Sequence, residues 1–140
     1  MLRRLALLGG VIALSACGGG APEEETGTPN VIVYETRGRV EMLPEAALPM
    51  NDFLVHHEPI PGFKGNFSET TPAGMNSMVM PFPPGEGVDL DGVKIGDVLS
   101  LRFQVTYHSE NGAVSGMTLL SYEELPADTR LDLGRVREPE

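Results

Sequence analysis

The clearest alternation of apolar and polar residues runs from Val98 to Tyr107. Polar side chains separate apolar ones at every second position, and the apolar set is Leu99, Leu101, Phe103, Val105 and Tyr107. Successive side chains of a β-strand point to opposite faces, so this pattern predicts a strand with one buried face.

Four further segments have the β-branched and aromatic composition that is typical of strands. They cover residues 31–42, 52–58, 76–82 and 113–122. We expect a kink near Gly38 in the first of them. Glu110-Asn111-Gly112 predicts a hairpin turn with positive φ at both Asn111 and Gly112. No segment has helical periodicity, and five strands in a chain of this size favour a small closed barrel without long exposed edges.

The first 16 residues have the pattern of a secretory signal peptide. Arg3 and Arg4 precede an apolar run over residues 5–13, which is too short to span a bilayer. The following Leu-Ser-Ala-Cys is similar to a bacterial lipobox, which implies acylation of Cys17 and a stable membrane anchor. An ordinary signal peptide with a spare thiol is the alternative. Gly18 after the cysteine, by the usual sorting rule, favours an outer-membrane lipoprotein facing the periplasm.

The remaining chain divides into a tether, a domain and a tail. Residues 17–29 have almost nothing to bury and predict a flexible linker behind the lipidated Cys17. We expect the folded domain over residues 30–124 and a charged tail over residues 125–140, packing briefly near Leu131 and Leu133. Without its two signal-peptide arginines the chain has eight basic and twenty acidic residues, a net charge of −12 that disfavours nucleic acid as a partner.

Three of the seven methionines, Met75, Met78 and Met80, lie within six positions, downstream of the pair His56-His57. Thioether sulfur and imidazole nitrogen are ligands for a soft ion such as Cu(I) or Ag(I), whereas Mg²⁺ and Ca²⁺ prefer oxygen. On a strand, Met78 and Met80 share a face, and the two histidines point to opposite faces. We therefore expect only one histidine to join the site. Methionine also fills gaps in small cores, which is the alternative for this cluster.

The order of motifs resembles the CusF-type periplasmic copper-binding proteins over residues 31–123. The matching segments are His-His-Glu-Pro-Ile at 56–60, Met-Val-Met at 78–80 and Gly-Val-Lys-Ile-Gly-Asp at 92–97, followed by the apolar strand. Members of that family are five-stranded OB-fold barrels that bind Cu(I) and Ag(I) and pass the ion to an efflux complex. Their motif is His-His-Asp-Pro-Ile followed by Trp-Pro-Glu-Met-Thr-Met. The resemblance implies that His57, Met78 and Met80 are the metal ligands.

The sequence departs from that family at two points. Met75 stands where the family has a tryptophan that covers the ion by a cation–π contact, and this chain has no tryptophan. The loop between His57 and Met75 is also longer than the family's. We expect either that Met75 acts as a fourth ligand or thioether lid, or that Phe63 and Phe67 of the longer loop supply an aromatic cover.

These patterns predict a small OB-fold-like barrel, anchored by lipid in the periplasm, that binds Cu(I) or Ag(I) as a metallochaperone or buffer without catalysis. The ion would come from or go to a copper efflux complex or another copper-acceptor protein. Two alternatives are a factor that delivers copper to a respiratory oxidase and a metal-free adaptor lipoprotein whose methionines contact another protein. Residues 89–92, Asp-Leu-Asp-Gly, lack the ligand spacing of a calcium loop and predict a turn.

Overall fold

A computed structural model describes residues 29–45 and 52–136 of the chain. The predicted signal peptide, the lipidation site at Cys17 and nearly all of the linker lie outside these residues. The last four residues of the predicted tail do so as well. Among the residues described, no helix has the length and apolar character needed to cross a membrane.

Five strands form a single antiparallel sheet. They are β1 (Asn30–Met42), β2 (Leu54–His57), β3 (Met78–Pro81), β4 (Val98–Tyr107) and β5 (Val114–Glu124), and their order in the sheet is β3-β2-β1-β4-β5. The prediction of an all-β fold with five strands is confirmed, and each strand overlaps the segment predicted for it. Pro81 ends an edge strand, a position that tolerates its missing N–H.

The sheet curls so that its two end strands approach each other. The segment after β3 forms a parallel bridge to β5 through Pro84 and Leu119. The N–H of Leu119 donates to the carbonyl of Pro83 at 2.8 Å, and the N–H of Gly85 donates to the carbonyl of Leu119 at 2.9 Å. These bonds partly close the sheet into the barrel-like shape expected of a small all-β domain. The predicted apolar face of β4 lies at its centre and is buried at every position from Leu99 to Tyr107.

Strand β1 connects the two halves of the sheet. It pairs with β4 from Asn30 to Arg39 and with β2 from Gly38 to Met42. A side chain at Gly38 would place its Cβ 2.5 Å from Cγ1 of Val55 and 2.7 Å from the carbonyl oxygen of His56. Glycine is therefore required by the close approach of β2. The irregularity predicted at this glycine lies a few residues later, between Val40 and Met42.

The connection between β4 and β5 differs from the predicted hairpin turn. Only Gly112 has positive φ, at 72°, and Asn111 does not. The strands end at Tyr107 and begin again at Val114. A connection of this length is typically built around a type I turn with one residue in the left-handed region near its end. Positive φ at both central residues is instead the conformation of a two-residue hairpin turn. The side chain of Asn111 accepts the N–H of Ala113 at 3.0 Å.

The long loop between β2 and β3 is held by a buried ring of hydrogen bonds. The hydroxyl of Tyr107 donates to the carbonyl of Lys64 at 2.8 Å, and the N–H of Lys64 donates to the hydroxyl of Tyr34 at 3.1 Å. The two tyrosine oxygens are 2.9 Å apart. The loop is thereby fixed against the core rather than left free above the sheet.

Candidate metal centre

The candidate ligands lie on the hairpin-like pair of β2 and β3. His57 is directly opposite Met78, and Val55 is directly opposite Met80. Directly opposed residues on neighbouring strands share a face of the sheet, so His57, Met78 and Met80 all lie on the inward face. His56 pairs with Val79 on the other face. The sequence prediction that only one of the two histidines can join the methionines is consistent with this register.

Exposure changes steeply along the inward face of this strand pair. His57 is fully buried and Met80 is 7% exposed, but Met78 is 48% exposed. Met78 therefore lies where the interior meets solvent. An ion arriving from solution would meet a thioether first and a buried nitrogen and second sulfur behind it.

The hydrogen bonding of His57 defines its protonation. Its Nδ1 lies 2.6 Å from the carbonyl oxygen of Glu58. A carbonyl can only accept, so Nδ1 carries the proton and Nε2 carries a free lone pair. Nε2 is buried, and no polar atom of the described residues is within hydrogen-bonding reach of it. A buried acceptor without a partner is costly, and a ligand for that lone pair would remove the cost.

The environment of His57 also favours the neutral imidazole. Burial lowers the pKa of His57, the hydrogen bond to the Glu58 carbonyl opposes this effect, and the neighbouring His56 lowers the pKa further. The net shift is downward. Metal ligation requires neutral imidazole, so the fold supplies the form that binds.

Glu58 fixes the chain immediately after His57. Its carboxylate accepts two hydrogen bonds from the guanidinium of Arg37, at 2.7 and 2.8 Å, and its N–H donates to the carbonyl of Arg37 at 2.8 Å. Burial alone would raise the pKa of Glu58, but the hydrogen bonds from Arg37 and from the N–H of Asp132 outweigh burial and lower it. The carboxylate is therefore held ionised beside the site.

A strap formed by residues 132–136 is hydrogen-bonded to the chain just after β2 and just before β3. The N–H of Asp132 donates to Glu58 at 2.8 Å, next to His57. The carbonyl of Gly134 accepts the N–H of Ser77 at 3.2 Å, next to Met78, and the N–H of Val136 donates to the side chain of Asn76 at 2.9 Å. The tail was expected to pack through Leu131 and Leu133. Leu131 is half-buried but Leu133 is exposed, and the attachment is made by the backbone of alternate residues.

The aromatic neighbour of His57 is not one of the two predicted from the loop. The ring of Phe82 meets the imidazole edge-on, with centroids 6.0 Å apart and an angle of 85° between the planes. Phe63 packs instead against Tyr34 at 5.0 Å, and Phe67 against Tyr107 at 5.6 Å. The hydrogen-bonded loop directs both rings toward the tyrosines, so the structure gives no support to the expected aromatic cover from the loop. Phe82 was missed, although it follows Met80 by two positions and so shares its face.

Met75 continues the pairing of β2 and β3 beyond His57 and Met78. It exchanges two backbone hydrogen bonds with Ile60, at 2.8 and 2.9 Å, in a register continuous with that of His57 and Met78. Its side chain is half-buried against the core. It lies three positions before Met78, a distance of about 10 Å along an extended chain. The role of Met75 as a fourth ligand or lid stays a prediction.

Conventional metal sites are not formed elsewhere in the described structure. Within residues 29–45 and 52–136, no three His, Cys, Asp or Glu side chains are grouped to hold a metal ion. The segment from Asp89 to Gly92 is a turn, as expected, with the N–H of Asp91 donating to the carboxylate of Asp89 at 2.8 Å. The sulfur–nitrogen arrangement on β2 and β3 is thus the candidate that the geometry offers.

Comparison with protein-family models, curated proteins and solved structures found no match for this chain.

Proposed function

We propose that this chain binds one Cu(I) or Ag(I) ion through Nε2 of His57 and the sulfurs of Met78 and Met80. The observation that carries the proposal is Nε2 of His57. This atom is buried and has a free lone pair, and its residue lies directly opposite Met78 on the neighbouring strand. One imidazole and two thioethers suit a soft d¹⁰ ion and suit Mg²⁺ or Ca²⁺ poorly. Met75 is proposed as a fourth ligand or lid above this set.

The proposed role is that of a metallochaperone or buffer in copper handling. No nucleophile or general acid–base pair enters the proposal, and the ion is cargo. With Cys17 acylated, the protein acts in the periplasm from a membrane anchor, most simply at the outer membrane. The half-exposed Met78 suits transfer by ligand exchange to a copper efflux complex or another acceptor protein.

A metal-free adaptor role is the second candidate, and one observation favours it. Met78 and the adjacent Val79 are 48% and 45% exposed, so the edge strand presents apolar side chains to solvent. Such a surface also suits contact with another protein. Delivery of copper to a respiratory oxidase differs from the first proposal in its partner and not in its site.

A competition titration with a chromogenic Cu(I) chelator under reducing conditions separates the metal-binding role from the adaptor role. We expect the wild-type protein to bind one ion, and Met78→Leu and Met80→Leu each to bind more weakly by about tenfold or more, since loss of even an outer partner of a ligand costs that much. Met117→Leu is the matched control, because Met117 is half-buried on β5 and lies opposite Val105 of β4, so it belongs to neither of the two strands that carry the proposed ligands. Equal affinities for all four proteins would refute copper binding at this site.

A further inference from the structure

Two polar residues are buried in the described part of the chain, Thr36 and His57. Thr36 lies on β1 two positions before Gly38, and Gly38 pairs with His57 across the strands. Residues two apart on a strand share a face, so the Thr36 side chain points inward next to the imidazole. A buried hydroxyl in this position is not needed for packing, because valine has the same shape.

Thr36 and His57 share a single hydrogen-bond acceptor, the carbonyl oxygen of Glu58. The hydroxyl of Thr36 donates to it at 3.2 Å and Nδ1 of His57 donates to it at 2.6 Å. The other acceptor near the hydroxyl, the carbonyl of Arg37, is farther away at 3.4 Å. A carbonyl has two lone pairs, so both donors are accommodated together.

The sequence explains why this carbonyl is available to side chains. Strand β2 ends at His57, and Pro59 cannot extend the ladder because it has no N–H. The Glu58 carbonyl therefore leaves the regular pattern of backbone bonding. Its orientation is set by the N–H of Glu58, which donates to the carbonyl of Arg37 at 2.8 Å, and by the hydroxyl of Thr36.

We propose that Thr36 is a positioning residue for the metal site: its hydroxyl holds the Glu58 carbonyl under the imidazole, which keeps the proton on Nδ1 of His57 and the lone pair of Nε2 directed toward the two methionines. The role of Thr36 in metal binding rests on the proposed function, but its effect on the tautomer of His57 concerns the metal-free protein. Without the hydroxyl, the carbonyl can turn toward water, Nδ1 loses its acceptor, and the proton is free to move to Nε2. The tautomer with the proton on Nε2 has no lone pair there for an ion.

The decisive measurement is the tautomer of His57 in the metal-free, ¹⁵N-labelled protein. Long-range ¹H–¹⁵N correlation spectra at about pH 8, above the usual imidazole pKa, distinguish the protonated nitrogen of each ring. The chain has three histidines, so His56 and His108 serve as internal references. We expect His57 to carry its proton on Nδ1 in the wild type and in Thr36→Ser, and to shift toward Nε2–H in Thr36→Val.

Matched variants separate positioning from a general effect on folding. Thr106→Val makes the same replacement on β4, at a hydroxyl that forms no hydrogen bond with the described residues, and should leave the His57 tautomer unchanged. Thr36→Ala removes the hydroxyl without adding a methyl group, and it replaces Thr36→Val if the latter does not fold. An unchanged His57 tautomer in the folded Thr36→Val or Thr36→Ala protein overturns the proposal.

A Cu(I) titration of the same proteins tests whether the Thr36 hydroxyl contributes to metal affinity. Thr36→Val should bind about tenfold more weakly than wild type, the loss typical of an outer partner of a metal ligand, and Thr36→Ser should restore most of the affinity. If the wild type binds no Cu(I), the proposed function fails, while the tautomer shift still decides whether Thr36 positions His57. If the wild type binds and the tautomer does not respond, the positioning role alone fails.

Discussion

Gly38 is the position where a single added methyl group should damage both the fold and the site. In Gly38→Ala the new Cβ would lie 2.5 Å from Cγ1 of Val55, 2.7 Å from the carbonyl oxygen of His56 and 3.0 Å from Cα of His57. The Val55 methyl group can turn aside, but the other two atoms belong to the backbone of β2. That strand must therefore move outward by several tenths of an ångström, which is comparable to overpacking a core and should cost about 1–3 kcal/mol of unfolding free energy.

The displacement acts on the ligand strand directly, because the clash is with His56 and His57 themselves. We expect Gly38→Ala to lower the urea midpoint of the metal-free protein and to weaken Cu(I) binding in the same titration. Gly116→Ala is the matched control: Gly116 is also within a strand, and a Cβ there would meet no atom within 4 Å. Its unfolding free energy should be unchanged or raised by about 0.4–1 kcal/mol through the smaller entropy of the unfolded chain. Equal urea midpoints for the two variants would refute the steric argument.

Three further predictions follow from the surroundings of His57. Because the pKa of His57 is lowered in the folded protein, the unfolded chain takes up its proton first, so the unfolding free energy of the metal-free protein should fall as pH drops below about 6.5. Urea titrations at about pH 7.5 and 5.5 measure this, and an equal dependence in His57→Gln would contradict it. The pKa of Glu58 is lowered as well, so its ionised carboxylate stabilises the folded protein. The wild type should therefore be more stable than Glu58→Gln above about pH 4.5, and this difference in stability should disappear as the pH falls below that value. Thermal unfolding of both proteins at several pH values measures the difference. Asn76→Ala removes the acceptor for the N–H of Val136, so hydrogen exchange of that amide should accelerate while the core amides of β4 stay protected; an unchanged Val136 amide would mean that the strap is held by other contacts.

Alternation of apolar and polar residues placed β4, because a strand with one buried face has a period of two, and β-branched and aromatic composition placed the other four strands. The same period put Met78 and Met80 on one face and separated His56 from His57. Applied to the whole predicted strand at 76–82, it also puts Phe82 on the face of Met80, although Phe82 was not considered as a neighbour of the site. These features depend on local sequence alone.

The parts of the site that could not be predicted depend on contacts between distant segments. Thr36 reaches the Glu58 carbonyl across 22 positions of sequence, and Asp132 reaches the Glu58 carboxylate across 74. Nothing near Thr36 in the sequence distinguishes it from other threonines of a half-buried strand. The packing of Phe63 and Phe67 could not be predicted for the same reason, since the tyrosines that they contact come from β1 and β4.

The path of β1 determines which end of the barrel carries the site. The strand begins at Asn30, directly after the predicted tether, and reaches the rung of His57 at Gly38. Eight residues of extended chain amount to about 26 Å, most of the length of a small domain. If Cys17 is acylated and the ion binds as proposed, the membrane anchor would join one end of the barrel and the ion would enter past Met78 near the other. An acceptor protein could then approach from the open periplasm, without having to fit between the domain and the lipid surface.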